Sequence, residues 1–275
     1  MKDLSGRTAV ITGGAQGIGL GIAHALGRAG VKIAIVDVNG NALESAVAQL
    51  SNVATVAAKV LDVRDRAAFT DVANDIEAQL GPVSLLFNNA GIATRVTAEA
   101  MSYESWDWVM GINLGGVING IQTFLPRMLA RGGEAHIVNT SSGAGVISEG
   151  GGYLYHGSKF AVVGLSEALR EELAPHQIGI SVLLPGPVAT GIIANSAALA
   201  PSDVTDGGDA VVTWQRVVSA AMNEGVSPLA VGDMVVAAIL DNRSPYIFTD
   251  DSLGAPIQAR TAKLLDALPA KHAEA

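Results

Sequence analysis

Short β-branched runs alternate along the chain with longer stretches in which apolar residues return every three or four positions. Residues 7–12, 32–37, 52–60, 83–87, 135–139 and 178–184 read as strands, and 244–248 as a seventh. Between the first two, Ile18, Ile22, Leu26 and Ala29 share one helical face, and Phe69, Val72, Ile76 and Leu80 do the same between the third and fourth. A run such as Ile33-Ala34-Ile35-Val36 offers no polar face. That fits a parallel sheet covered on both sides, since each parallel crossover is wide enough to need a helix. The pattern predicts a doubly wound α/β fold with a seven-stranded parallel sheet and helices on both faces. No Pro/Gly/Ser-rich linker, shift of composition or internal repeat divides the chain, so residues 1–275 are expected to form one domain. Residues 189–228 break the rhythm with Gly, Ser, Asp and Pro among apolar residues, and are expected to form a lid.

Composition narrows the field. With 49% hydrophobic and 16% charged residues the 275-residue chain can bury enough surface to fold. It has no cysteine, hence no disulfide framework, thiolate zinc site or thiol nucleophile. Seventeen Lys and Arg against 26 Asp and Glu give a net charge of −9, which speaks against nucleic acid as a partner. The first residues run directly into a strand, and no apolar run reaches the ~18 residues of a membrane span, so no membrane partner and a cytoplasmic address are expected. The histidines His24, His136, His156, His176 and His272 show no ligand spacing, and no metal site is expected.

Thr12-Gly13-Gly14-Ala15-Gln16-Gly17-Ile18-Gly19 follows the first strand and opens an amphipathic helix. Glycines there let the backbone turn tightly and approach a pyrophosphate, whose charge the free N–H groups of the helix N-terminus favour. A ligand-free glycine turn would look the same in isolation. The second strand, however, ends in Asp37, 18 residues beyond Gly19 and close to the ~20 expected of a carboxylate that binds adenosine ribose. Asp37 could instead cap a helix or shape a turn. A carboxylate at this place repels a 2′-phosphate, so NAD(H) is expected over NADP(H). Asp62-Val63 and Asn88-Asn89-Ala90-Gly91 end the third and fourth strands on the same edge. Asp62 suits an adenine amino group or, equally, the cap of a helix starting near Asp65, and Asn88 could be only a turn residue.

Tyr155 and Lys159 stand one helical turn apart at the start of an amphipathic segment. The spacing puts phenol and ammonium on one face, where the cation would lower the phenol's pKa and fit it for proton transfer. Ser142 ends the preceding strand and could polarise the same substrate oxygen.

Together with Asn113 and Pro185-Gly186-Pro187-Val188-Ala189-Thr190, these motifs stand in the order of the short-chain dehydrogenase/reductase family, which the chain resembles over roughly residues 4–190. The resemblance implies a Rossmann fold. It implies that Tyr155 is the catalytic acid/base, that Ser142 orients the substrate, that Lys159 binds the nicotinamide ribose and tunes Tyr155, and that Asn113 holds a relay water. Asn113 by itself could be a polar kink beside Gly115-Gly116. It further implies that Pro185, Gly186, Val188 and Thr190 meet the nicotinamide, and that Gly13, Gln16, Gly17, Ile18, Gly19, Asp37, Asp62, Val63, Asn89, Ala90 and Gly91 line the rest of an NAD site. The tail after residue 248 lacks the Asp-Gly-Gly ending of many members and reads as a helix over 256–268. A homodimer on the two long helices, or a homotetramer, is the family expectation. The stretch Asn113-Leu114-Gly115-Gly116-Val117-Ile118-Asn119-Gly120 is similar to bacterial dehydrogenases that oxidise benzylic alcohols of aryl ethers.

Residues after Ser142 and in the lid are small or apolar, pointing to a neutral hydrophobic secondary alcohol or ketone as small-molecule partner. Two other classes share part of the pattern. An S-adenosylmethionine-dependent methyltransferase could use the glycine turn and Asp37 but has no need of Ser142, Tyr155 and Lys159 together, and neither has a non-catalytic dinucleotide-binding protein.

Overall fold

The structure is a computed structural model that describes residues 1–148, 152–202, 204 and 208–269; His272 lies outside them. Seven strands, β1 (Thr8–Thr12), β2 (Lys32–Asp37), β3 (Val56–Val60), β4 (Val83–Asn88), β5 (Ala135–Thr140), β6 (Ile178–Leu184) and β7 (Tyr246–Phe248), form one sheet. Its order is β3-β2-β1-β4-β5-β6-β7, and every neighbouring pair is parallel. The helices are α1 (Gly17–Arg28), α2 (Gly40–Leu50), α3 (Arg66–Leu80), α4 (Tyr103–Met110), α5 (Gly116–Arg131), α6 (Tyr153–Leu173), α7 (Ile192–Leu199), α8 (Asp209–Asn223), α9 (Pro228–Asp241) and α10 (Gly254–Asp266). This is the doubly wound Rossmann architecture expected from the periodicity.

Alternation along the strands sorts two cores. Ile11, Ile33, Ile35, Leu85 and Phe87 meet Ile22 and Leu26 of α1, Leu43 of α2 and Val231 and Val235 of α9 on one face. Their neighbours Val10, Ala34, Val36, Leu86 and Ile137 point the other way, onto Phe69, Ile76, Phe124 and Met128 of α3 and α5. α1 and α9 approach so closely that only glycine fits between them. A Cβ on Gly21 would lie 2.0 Å from the Pro228 carbonyl oxygen, and one on Gly232 2.2 Å from that of Gly21.

β1, β4 and β5 each differ from the sequence reading by one residue at one end, and three other boundaries differ by more. The third strand starts at Val56, not at 52, because the amides of Val53 and Ala54 donate to the Leu50 carbonyl and finish α2 as a turn. The seventh starts at Tyr246, whose amide is taken by the Ser244 hydroxyl. The tail helix runs two residues earlier, over Gly254–Asp266. Cap assignments also resolve. Asn39 caps α2 and Asp65 caps α3, so neither Asp37 nor Asp62 serves as a cap.

His136 lies inside the sheet, 1% exposed, with Nε2 3.0 Å from the Ser181 hydroxyl and no partner for Nδ1 among the described residues. Burial, with the Arg170 guanidinium adding to it, pushes this imidazole down to about 3. The unfolded chain takes up the proton near the ordinary 6.5 and the folded chain does not, so stability falls as pH drops below about 6.5. Urea unfolding between pH 7 and 4.5 is expected to show a steeper loss for the wild type than for His136→Gln; equal slopes would refute the assignment.

Candidate active site

β1 and β4 are neighbours from which the chain runs outward in both directions, so a crevice opens at their carboxyl ends. The cavity there measures about 520 Å³. Its walls include Gly13, Gln16, Gly17, Ile18, Asp37, Asp62, Val63, Asn89, Ala90, Gly91, Ser142, Tyr155, Lys159, Pro185, Gly186, Val188 and Thr190. Of the residues singled out at the strand ends and in the motifs, Gly19, Asn88 and Asn113 are among those that do not line it. Gly19 packs behind the turn, where a Cβ would fall 2.1 Å from the Gly13 carbonyl oxygen.

At one end, Gly13 (φ +61°) and Gly17 (φ +51°) hold conformations that L side chains rarely adopt. Gln16 stands at the N-cap of α1 without using its side chain as a cap, and no side chain among the described residues accepts from the first N–H groups of α1. Asp37 presents its carboxylate beside them, accepting from the amides of Ala15 (3.3 Å) and Asn39 (3.1 Å). Asp62 is gripped by Arg64, Nε to Oδ1 at 3.0 Å and Nη2 to Oδ2 at 2.6 Å, and this guanidinium holds the carboxyl below its usual range against the opposing effect of burial. Asn88 is no turn residue. It is buried at the end of β4, where its Nδ2 donates to Asn139 Oδ1 at 2.8 Å. The side chain of Asn89 is spent on the turn, donating to the carbonyls of Thr12 (3.1 Å) and Gly13 (3.2 Å).

At the other end, Lys159 Nζ lies 5.6 Å from the centroid of the Tyr155 ring and donates to the Thr140 carbonyl at 3.2 Å. Lys159 is 4% exposed, and burial pushes it down to about 8. The sequence argument expected the phenol to be lowered by the cation. In the structure burial raises Tyr155 above its ordinary value, opposed by a hydrogen bond with the Ser142 side chain. Low polarity penalises both charged forms, so phenolate and ammonium favour each other while each is disfavoured alone. Asn113 is fully buried in a π-helical turn, Gly111–Gly115, between α4 and α5. The extra residue of that turn aims the side chain at Ile92 and Ser158. Its Oδ1 accepts the Ile92 amide at 2.8 Å, and its Nδ2 donates to the Ile92 carbonyl at 3.0 Å and the Ser158 hydroxyl at 3.2 Å. It is therefore more than a kink. Ser158 in turn donates to the Tyr155 carbonyl at 2.8 Å, linking Asn113 to the helix that carries the phenol.

Sequence reasoning missed several residues of the crevice: Arg64, Trp108, Ile112, Asn195, Met222 and Pro228. Pro228 stands at the far end of the 189–228 segment and reaches the crevice by tertiary folding alone. It also missed Thr249, whose hydroxyl accepts the Gly186 amide at 3.0 Å and fixes the segment after β6.

Comparison with known proteins places the geometry in context. A family model described as short chain dehydrogenase matches residues 7–199. A C alpha-dehydrogenase of Sphingobium sp. (strain NBRC 103272 / SYK-6) is 37% identical over 246 residues, 88% of this chain and 80% of that one. The crystal structure of a short chain dehydrogenase/reductase from Burkholderia phymatum in complex with NAD matches with a TM-score of 0.91 at 31% identity, covering 100% of both chains. The apo form of LigD from Sphingobium sp. strain SYK-6 matches with a TM-score of 0.80 at 32% identity, over 97% of this chain and 99% of that chain.

The buried ammonium has a measurable consequence. Lys159 is lowered from 10.5 to about 8 on folding, so its destabilising effect is complete below pH 8 and disappears as pH rises toward 10.5. Lys159→Met is expected to stabilise the ligand-free protein at pH 7 by on the order of 1–3 kcal/mol, the lost hydrogen bond to Thr140 offsetting part of the gain. The advantage should shrink between pH 8 and 10.5. A Lys159→Met protein that melts below the wild type at pH 7 would contradict it.

Proposed function

The chain belongs to the short-chain dehydrogenase/reductase family, and on that footing we propose that it is an NAD(H)-dependent oxidoreductase interconverting a neutral, hydrophobic secondary alcohol, aryl or alicyclic, and its ketone. The observation that carries the reading is the phenol of Tyr155 held between Lys159 and Ser142, in the crevice whose other end is the glycine turn and Asp37. The residues present fit a dinucleotide. Gly13 and Gly17 bring backbone close to a pyrophosphate, the free amides of α1 face its charge, and Asp37 offers an acceptor to ribose hydroxyls while repelling a 2′-phosphate. NAD, when bound, supplies the hydride acceptor, and its reduced form the donor.

The protein's own part is to hold the substrate oxygen and move one proton. In oxidation Tyr155 Oη takes the hydroxyl proton; in reduction it returns one to the carbonyl oxygen. Ser142 Oγ bonds the same oxygen and fixes it against the phenol. Lys159 offsets negative charge on Tyr155, and its N–H groups not used by Thr140 serve the nicotinamide ribose. Asn113 Oδ1, which accepts the Ile92 amide, keeps a second lone pair for a relay water. Pro185, Gly186, Val188 and Thr190 border the nicotinamide, and Gln16, Ile18, Asp62, Val63, Asn89, Ala90 and Gly91 the remainder of the cofactor, with Gly19 supporting the turn.

Ile92, Trp108, Ile192, Leu199 and Met222 give the crevice apolar walls. Of the cations that line it, Arg64 is held by Asp62 and Lys159 lies under the phenol, which supports a neutral substrate. The 37% identity to a C alpha-dehydrogenase adds weight to an aryl alcohol. We assign residues 1–275 to one Rossmann-type domain with a lid at about 189–228. As its working form we propose a cytoplasmic homodimer across α5 and α6, or a homotetramer. Family membership gives no support to a methyltransferase, and the intact proton-transfer set argues against a non-catalytic binder.

Tyr155→Phe should lower turnover with NAD⁺ by about 10²- to 10⁴-fold. NADH binding, followed by fluorescence, should persist, and a variant that keeps wild-type turnover would remove the phenol from the reaction. A panel of neutral aryl and alicyclic secondary alcohols with NAD⁺, read by NADH absorbance, should contain substrates. Turnover confined to anionic sugars or acyl thioesters would sink the substrate assignment.

A further inference from the structure

The lid helix α7 lies across the crevice, and consecutive side chains tie it to opposite banks. On the β1 bank, Asn195 Nδ2 donates to Gln16 Oε1 at 3.1 Å, at the turn that opens α1. On the β4 bank, the Ala93 amide donates to Ser196 Oγ at 2.9 Å, one residue beyond the Ile92 held by Asn113. Ser196 is 1% exposed, and its own proton goes to the Ile192 carbonyl at 2.6 Å, so its lone pair is aimed at Ala93. Thr190 packs on Gly17 just before the helix, where a Cβ on the glycine would meet Thr190 Cγ2 at 3.1 Å. The base of the lid is pinned as well. Val188 pairs with Val226, the Ala189 amide donates to the Val226 carbonyl at 2.9 Å, and the Val226 amide to that of Pro187 at 3.0 Å.

A segment pinned at its base and tied at two points above a crevice behaves as a strap. We infer that Asn195 and Ser196 are positioning residues that fasten α7 over the crevice, Asn195 governing how fast the dinucleotide leaves and Ser196 how well the apolar face of α7 is held on the substrate. The division follows from place. The Asn195–Gln16 bond sits over the glycine turn, where a pyrophosphate belongs, whereas the Ser196–Ala93 bond sits beside the Asn113–Ile92 contact at the reacting end. The proposal rests on the dinucleotide reading given above. Neither residue belongs to the motifs that carry the family resemblance. A neutral hydrogen bond has a modest net worth, so each contact should slow opening by roughly three- to tenfold.

Release of NADH can be followed by stopped-flow displacement. Asn195→Ala and Gln16→Ala should each speed it roughly three- to tenfold. The double variant should be no faster than the quicker single one, because both remove one bond. Ser196→Ala should raise the substrate KM with a smaller change in kcat, and Ser196→Thr, which restores the acceptor, should recover it. Rates that multiply in the double variant, or an Asn195→Ala protein that releases NADH like the wild type, would overturn the assignment. Hydrogen exchange of the α7 amides in the ligand-free protein reads the strap without any cofactor. Faster exchange in Asn195→Ala and Ser196→Ala supports it, and unchanged exchange refutes it. A wild type that binds no NADH while its variants exchange faster would overturn the dinucleotide reading and uphold the strap.

Discussion

Four hydrogen bonds made by two side chains hold the ends of β1 and β4 together at the point where the sheet turns into a site. Thr12 Oγ1 accepts the amides of Asn89 (3.0 Å) and Ala90 (3.1 Å), and Asn89 Nδ2 donates to the carbonyls of Thr12 and Gly13. These backbone groups lie at or just past the ends of the strands, where the ladder runs out, and any left unpaired inside the protein would cost about 1–3 kcal/mol. The stitch removes that cost and sets the spacing of everything beyond it. Gly13 rests so close to Ala90 that a Cβ on it would lie 2.9 Å from the Ala90 Cα, and the next residue along, Gly91, leaves open the space where a Cβ of its own would lie 3.3 Å from Asn113 Oδ1 and 3.4 Å from Lys159 Nζ. The turn proposed for the dinucleotide and the residues proposed for proton transfer are thus held to one pair of strand ends.

Against that fixed frame stands a pair of groups that the fold makes uncomfortable. Burial raises Tyr155 and lowers Lys159, so in the ligand-free protein each charged form is disfavoured. Nothing compensates the ammonium except the Thr140 carbonyl and the face of the phenol among the described residues. Stability given up here is the usual counterpart of reactivity, since a proton that is costly to hold on lysine and costly to remove from tyrosine moves when a bound partner supplies the missing charge or hydrogen bonds. The surrounding bonds prevent the pair from relaxing. Ser141 Oγ donates to the Lys159 carbonyl at 2.8 Å and Ser158 Oγ to that of Tyr155, so both residues are held through their backbones.

The sheet was legible because it is made of local pattern. β2 and β6 end where their apolar runs end, and the two cores follow from alternate residues. The errors lie where a local bond competes with the pattern. Val53 has strand character, yet its amide completes α2. The polar residues at strand ends could be placed on one edge because a parallel sheet puts all its carboxyl ends together, which is why most of the proposed site lines one crevice. What those side chains bond to was not legible. The fork of Arg64 on Asp62 and the grip of Asn113 on Ile92 depend on turn geometry, and the π-helical turn leaves no trace in a period of 3.6. The sign of the Tyr155 shift was misjudged because sequence shows that a lysine is near but not how far each group is withdrawn from solvent, Lys159 buried and Tyr155 half-buried.

The fit of α9 against α1 bounds the segment proposed as a lid. Pro228 opens α9 and also borders the crevice, and its carbonyl sits where any side chain on Gly21 would be. Helices this close transmit position with little slack, because separating them exposes the apolar surface of Ile22, Val231 and Val235. The returning end of the lid therefore moves with α1, the helix whose N-terminus faces the dinucleotide site. Its departing end is held at Gly186 by Thr249 and at Val188 by Val226. Between these two stumps the described residues include α7 and α8. On the reading of this segment as a lid, opening it breaks the Asn195–Gln16 and Ser196–Ala93 bonds and leaves the phenol and the ammonium held through their own helix.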